Sequence, residues 1–484
     1  MRHGTYMSEN PTAVLAVAQA ESALPFIVGC APVHAVRGGG SVGEAVLLTS
    51  WAEVETNFGY VHDWRRYGLT EALYERFRKY GKGPVIAVNV FDPTQLNGEA
   101  TTNAATLVNG TITLSLAGAL VESVSADALG ESNYIQGIDY NLSYTDAGYP
   151  IVTRLTGGDI LSDTATVYVT YQTIPTPNCG VAASAVINAL DLIDYSWVRF
   201  GKTPALIQCP GYSQIATVAA KMAAKGAGYG GGWEAFALID VDTAVIGGAN
   251  EHTEVAALKS ANNLVSPYMD VLWPMCKYGG DVENASTVWS GELAECDAEL
   301  AGIPYESASN RSVMITGVCT IDGTEIFLTD EQATETLNSN GVTTFINNGP
   351  RGWIAWGNRT GAYPGNTDPK DMWRPYRRML IFAKNTVRRL LLQMVDRPGN
   401  VRQIEAVINT INIWINSLIS KGAVMPGSRI EFLRENNAET ALANGEYNYT
   451  ITLAFPTPME AITVTFQVDT SLLNSIFDQL AQGA

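Results

Sequence analysis

The stretch VAASAVINALDLIDYSWVRFGKTPALIQCPGYSQIATVAAKMAAKGAGYGGGWEAFALID, residues 181–240, decides the fold. Apolar spacing places a helix through Asn188 to Ile193 and another over Ser213 to Lys225, while short apolar runs place strands at Ala205 to Gln208 and Ala235 to Ile239. Helices alternating with strands predict a sheet flanked by helices. The same rhythm runs upstream. Leu24-Pro25-Phe26-Ile27-Val28-Gly29 reads as the first core strand, Val46 to Ser50 as a second, Leu69 to Tyr80 as a helix closed by Gly81, and Pro84 to Phe91 as a buried strand.

Between about Asp92 and Cys179 the character changes. Thr, Gly, Ala and Val dominate, basic residues almost vanish, and alternation appears in Thr111-Ile112-Thr113-Leu114-Ser115-Leu116 and Ala165-Thr166-Val167-Tyr168-Val169; this predicts an inserted β domain. From about Asp368 a helical pair follows, Met372 to Val395 and Val401 to Ser420, separated by Pro398-Gly399-Asn400 and closed by Gly422. Strand-like segments then run Arg429 to Leu433, Tyr447 to Phe455 and Ala461 to Val468. A short amphipathic end carries Leu472, Leu473, Ile476, Phe477 and Leu480.

The expected class is therefore α/β (mixed α+β) and multidomain. An N-terminal arm spans 1–22, a discontinuous α/β core 23–95 and 182–365, an outward-facing β-rich insertion 96–181, and an α+β assembly domain with a terminal exchange strand 366–484.

Composition narrows the function. A chain of 484 residues exceeds what one core organises, and 46% apolar against 16% charged residues leaves a charge-poor surface suited to meeting other subunits. The formal charge of -18 repels phosphate backbones, so no nucleic-acid partner is expected. Six cysteines without a CxxC pair and four histidines without ligand spacing predict no metal, no cofactor, and reduced thiols in a cytoplasmic compartment. The sequence offers no secretory-signal run and no stretch approaching the roughly 20 apolar residues of a membrane span.

Catalytic motifs fail on context. Gly226-Ala227-Gly228-Tyr229-Gly230-Gly231 fits GxGxxG but follows a helix and precedes a strand, the reverse of a diphosphate-binding turn. Gly201-Lys202-Thr203 resembles the end of a phosphate loop, yet Ser196 stands where its opening glycine belongs. HExxH does not occur, and Gly39-Gly40-Ser41-Val42-Gly43, which fits GxSxG, leads into the strand at Val46 instead of following one, so it forms no nucleophile elbow. His34 is the one histidine to weigh as catalytic, and its strand-and-turn surroundings suit a structural role; no catalytic residue is assigned and no enzyme is expected.

Two features point to partners. Arg374, Arg377, Arg378, Lys384, Arg388 and Arg389 form a basic island on an acidic chain, either a solvated helix face or a strip that meets an acidic protein surface. The β-branched run Ile462-Thr463-Val464-Thr465-Phe466-Gln467-Val468 lies near the chain end, free either to form a hairpin through Pro456-Thr457-Pro458 or to pair with another chain.

Several segments together resemble the tail sheath proteins of contractile-tailed phages, in particular P2-like sheaths and their tailocin relatives. His3-Gly4-Thr5-Tyr6-Met7-Ser8-Glu9 is similar to the arm pattern HGVxVxE, though Tyr6 and Met7 replace its more β-branched residues. Val28-Gly29-Cys30-Ala31-Pro32-Val33-His34 is similar to the first core strand and turn, and Val46-Leu47-Leu48-Thr49-Ser50 with Phe58-Gly59 to the strand and helix that follow. The most specific pair is Gly341-Val342-Thr343-Thr344-Phe345-Ile346 with Trp356-Gly357-Asn358-Arg359-Thr360. Val395-Asp396-Arg397-Pro398, Asn437-Ala438-Glu439-Thr440 and Pro456-Thr457-Pro458-Met459-Glu460 extend the match, whereas residues 96–181 have no counterpart.

The resemblance implies hexameric rings stacked helically around an inner tail tube, capped by baseplate and tail terminator proteins. It places the chain in a virion tail or phage-tail-like particle assembled in the bacterial host cytoplasm, with no membrane insertion. It assigns the arm residues Gly4, Thr5, Tyr6, Met7, Ser8 and Glu9, and the strand residues Ile462, Thr463, Val464, Thr465, Phe466 and Val468, to neighbouring subunits. The basic helix face is the candidate tube contact. The rivals are an α/β hydrolase-like enzyme and a self-assembling tail or surface protein that does not contract.

Overall fold

A computed structural model describes residues 19–476. Along the chain, β1 (Pro25–Gly29), β2 (Ala45–Leu48), α1 (Gly68–Tyr74) and β3 (Val85–Asn89) open the core. Six strands follow as a separate unit: β4 (Thr101–Thr106), β5 (Thr111–Thr113), β6 (Ala119–Ser125), β7 (Tyr140–Tyr144), β8 (Pro150–Arg154) and β9 (Thr166–Thr173). The core resumes with α2 (Ala183–Ala189), β10 (Leu206–Gln208), α3 (Ala216–Ala227), β11 (Phe236–Asp240), β12 (Met269–Leu272), β13 (Met275–Tyr278), β14 (Asp281–Glu283), α4 (Ala285–Glu299), β15 (Gly317–Cys319), β16 (Val342–Asn347) and β17 (Trp353–Trp356). The helices α5 (Arg374–Leu392) and α6 (Val401–Ser420) and the strands β18 (Arg429–Glu431) and β19 (Thr450–Thr452) complete it.

Eight strands form the central sheet in the order β17-β16-β12-β11-β10-β1-β3-β2. Its six inner strands pair parallel, and β2 and β17 close the edges antiparallel. Parallel strands covered on both faces have no solvated side, so β1 (PFIVG), β3 (VIAVN) and β11 (FALID) are buried at every position and apolar except at their last residues, Asn89 in β3 and Asp240 in β11. The insertion packs two three-stranded antiparallel sheets, β4-β9-β6 and β5-β8-β7, around its own core of Leu107, Val124, Tyr140, Val152, Val167 and Val169.

Differences from the sequence reading are local. The helix expected over Leu69 to Tyr80 is α-helical only to Tyr74 and widens into a π turn at Glu75–Lys79. The helix expected at Asn188 to Ile193 begins earlier, at Ala183, and tightens into a 3-10 turn from Leu190. Ala461 to Val468 forms no strand within the chain and no hairpin with the preceding residues. Arm residues Gly4 to Glu9, and Phe477 and Leu480, lie outside the described residues.

The sequence reading missed α4 because most of its polar residues are buried, which erases the two-faced pattern a surface helix carries. Several of these polar groups find partners on distant elements. Ser286 N–H donates to Asp240 Oδ1 (2.8 Å), Thr287 Oγ1 donates to Glu71 Oε1 (2.7 Å), and Arg311 Nε donates to Glu292 Oε1 (3.0 Å). Gly291 gives α4 its close approach to α1's continuation, since a Cβ there would lie 2.3 Å from the Tyr80 ring.

Burial pushes the Glu71 carboxyl up to about 8 and that of Glu292 up to about 7, from an ordinary value of 4.5. Both groups hold their protons when folded at pH values where the unfolded chain has released them. The stability these two carboxyls contribute is therefore fullest below about pH 4.5 and declines as pH rises toward 8, while His34, lowered to about 4 by burial, acts in the opposite sense between pH 4 and 6.5. Lys259, whose ammonium burial lowers to about 8, acts only above that window. Urea midpoints at pH 5, 6, 7 and 8 should fall steadily, and Glu71→Gln with Glu292→Gln should flatten the slope; an unchanged slope in the double variant would refute the assignment.

Candidate assembly surfaces

Helix α5 carries the basic island, and the chain turns that island inward. Arg374 is buried, with Nη1 3.0 Å from Asp270 Oδ2 and 2.8 Å from Thr343 Oγ1, and its guanidinium lies 4.5 Å from the centre of the Trp289 ring. Trp289 Nε1 donates to the same Asp270 (2.7 Å), so one carboxylate gathers α4, α5 and β16. Arg378 pairs with Asp297 (2.6 Å), Arg377 pairs with Asp371 and stacks over Tyr268, and Arg388 stacks over Trp233. Lys384 reaches Glu234 (2.7 Å), and Arg389 reaches Glu21 (3.2 Å).

For Arg374, Arg377 and Arg378 the expected tube contact is thereby corrected. Arg374, Arg377 and Arg378 are buried and spent on carboxylates of their own chain, and Arg388 and Arg389 are packed or paired within it. Desolvating a guanidinium is costly unless a carboxylate receives it, and this helix face meets its carboxylates in the core. Of the six, Lys384 alone keeps a half-exposed side chain, itself paired.

The two motifs that carry the resemblance meet at the start of α5. Gly341 has φ +68, and a Cβ there would sit 2.6 Å from the carbonyls of Thr360 and Tyr363, so glycine is required. Lys259 Nζ ties the same loops by donating to Asn340 O (2.6 Å) and Tyr363 O (2.7 Å). Arg374 N–H donates to Asn358 O (2.8 Å), and Arg359 stacks on Trp373, 3.7 Å from the ring centre, while pairing with Glu460.

Both ends of the described chain are therefore rooted by ion pairs. At the N-terminal root, Glu21 contacts Lys202 (3.0 Å), Thr203 Oγ1 (2.9 Å) and Arg389; burial raises its carboxyl, but these partners prevail and hold it below its usual value. At the C-terminal root, Arg359 holds Glu460. Beyond Glu460 the chain runs uncovered: Ile462, Val464, Phe466 and Val468 are 75%, 67%, 91% and 88% exposed.

Strands β18 and β19 pair only with each other among the described residues. Beside β19 an apolar groove of about 550 Å³ is lined by Leu380, Val387, Leu391, Val395, Ile451 and Leu453. Two-stranded sheets are marginal alone, and this one offers an open edge above apolar side chains.

The remaining sequence candidates take quiet places. His34 packs edge-on against Tyr144 (4.8 Å between ring centres), its Nδ1 has no hydrogen-bond partner, and burial lowers it to about 4; no carboxylate orients it. Lys202 and Thr203 are held by Glu21, and the Gly226–Gly231 turn buries Tyr229, whose hydroxyl donates to Pro204 O (2.7 Å). No cluster of metal-ligand side chains occurs among the described residues.

No family model matches the sequence. The tail sheath protein of Burkholderia phage BcepMu is 24% identical over 97% of both chains, and the tail sheath protein of Escherichia phage P2 is 26% identical over 42% of this chain and 51% of its own. Over nearly its whole length the chain is therefore similar to a phage tail sheath protein. Solved structures agree on the fold. The sheath complex of the extracellular contractile injection system PVC, in its contracted state, superposes with a TM-score of 0.59 at 15% identity, covering 97% of this chain and 98% of that one. The contracted helical sheath of the anti-feeding prophage gives 0.56 at 17% identity over 96% and 99%. The resemblance read from separate motifs thus extends through the length of the sheath homologue, and the hydrolase-like reading gains no support.

Removing one member of the buried α5 pair should cost more than removing both. Arg374→Met strands the Asp270 carboxylate and should destabilise the chain by about 3–5 kcal/mol, and adding Asp270→Asn should recover part of that loss. Guanidinium denaturation of the single and double variants checks this; strictly additive costs would show that the two groups do not interact.

Proposed function

We propose that the chain is the structural subunit of a contractile tail sheath. It polymerises as hexameric rings stacked helically around an inner tube, is bounded by baseplate and terminator proteins, and contracts to drive the tube through a target envelope. The particle is a virion tail or tail-like injection device assembled in the bacterial host cytoplasm. The observation that carries this reading is an uncovered run of alternating apolar residues in a chain that also offers an open sheet edge over an apolar groove.

Residues Ile462, Val464, Phe466 and Val468 alternate with Thr463, Thr465 and Gln467, giving a two-residue period with one apolar face. The groove along β19 offers apolar side chains on which such a face would be buried in another subunit, each backbone hydrogen bond adding about 0.5–1.5 kcal/mol net. The arm residues Gly4 to Glu9 would complete the same sheet from a second neighbour. Head-to-tail exchange of this type propagates without closing, and its flexible links let subunits reorient while staying joined. Tube contact falls to surfaces other than the inward face of α5.

Electron microscopy of the purified full chain tests the reading. Hollow cylinders of uniform width are expected from wild type, none after deletion of residues 461–484 or of residues 1–10, and unchanged melting of both truncated monomers. Arg359→Ala should reduce polymer yield with little effect on melting, because it loosens the strand's root and leaves the core intact. Cylinders from the 461–484 deletion would overturn strand exchange, and dispersed wild-type monomers with and without tube protein would overturn the sheath reading.

A further inference from the structure

The inserted domain ends in a surface its own fold does not use. Its proximal end meets the core: His62 N–H donates to Asp146 O (2.5 Å), Ile174 N–H donates to Gly118 O beside Arg66, and Tyr144 packs on His34. Of the four crossings between its two sheets, one, residues 114–118, runs beside Arg66, and the other three, residues 107–110, 126–139 and 155–165, lie at the opposite end. These loops carry five large apolar residues in the open: Val108, Leu129, Ile135, Ile138 and Leu161, from 58% to 90% exposed. Single exposed leucines are ordinary; five at one tip of one small domain are a patch.

The loops that hold the patch are tied down. Asp127 accepts backbone N–H groups of Leu129 (2.9 Å), Glu131 (3.1 Å) and Ser132 (2.9 Å). Asp139 accepts those of Ile135 (2.6 Å) and Asp159 (2.7 Å), bracing the second loop against the third. Arg154 donates to Ile160 O (2.5 Å) and pairs with Asp163 (2.9 Å). Apolar side chains on preformed loops bind without first losing loop entropy.

Charge selects the partner. Residues 101–173 contain Glu122, Asp127, Glu131, Asp139, Asp146, Asp159 and Asp163 against Arg154 alone. Such a field opposes a second copy of the same tip, a phosphate backbone or an anionic lipid surface. We propose that the distal tip of the inserted domain is a docking surface for a different protein, one that presents an apolar patch flanked by lysine or arginine.

The test uses the full chain and two labelled peptides, one alternating Leu with Lys and one alternating Leu with Glu, read by fluorescence anisotropy. The Leu–Lys peptide should bind wild type in a salt-sensitive way, the Leu–Glu peptide should not, and Leu129→Ser with Leu161→Ser should weaken binding at least tenfold with unchanged melting. Both substituted side chains are almost fully exposed, which keeps that variant foldable, and adding Ile135→Ser and Ile138→Ser should deepen the loss. Equal binding by wild type and the double variant, or no binding by either, overturns the proposal. Loss of cylinder formation in the double variant also overturns it, by assigning the tip to a neighbouring copy.

Discussion

The ion pair between Arg374 and Asp270 is the constraint on which the rest of the architecture leans. Asp270 is fully buried in β12, inside the parallel sheet, where a lone carboxylate would be expensive, and Arg374 opens the helix α5. Satisfying one requires delivering the other. The pair therefore fixes where α5 enters, and Trp289 and Thr343 lock its rotation by sharing the same two groups. With α5 seated, α6 and the β18–β19 pair follow through the apolar cluster of Phe382, Ile411, Trp414 and Ile415.

This coupling also explains which parts were legible in the sequence. The inner strands were readable because burial on both faces demands unbroken apolar runs, as in Phe26-Ile27-Val28 and Val85-Ile86-Ala87-Val88. Helix α6 was readable to the residue because Asn400 caps it, its side chain accepting Gln403 N–H (3.0 Å). The basic face of α5 was visible as a pattern, but its direction was not: a row of arginines looks alike whether its carboxylates belong to another protein or stand across the fold at Asp270, Asp297 and Glu21. Helix α4 hid for the complementary reason, since its partners Asp240, Glu71 and Arg311 are far away in sequence. Long-range polar pairing leaves no local periodicity to detect. The terminal run 462–468 had the composition of a strand, yet a strand needs a partner, and its own chain supplies none among the described residues.

The two ends are handled alike. Glu21 and Glu460 are the last firmly held points on either side, each gripped by an arginine in or next to α5. On the reading proposed above, the exposed run beyond Glu460 is available to a neighbouring subunit, while what lies between the two clasps is committed to the subunit's own core.

The insertion enters at Thr101 and leaves beside Tyr171, and these two residues face each other across paired strands. A domain whose entry and exit are neighbours is a cassette. The host sheet closes β3 between β1 and β2 without any residue from 101–173, so the cassette can be lengthened, replaced or lost without disturbing the strand order beneath it. Lineages built on this core would then diverge fastest in what their outer decoration looks like and slowest in how their subunits join, and variation in length among them should concentrate at this one splice.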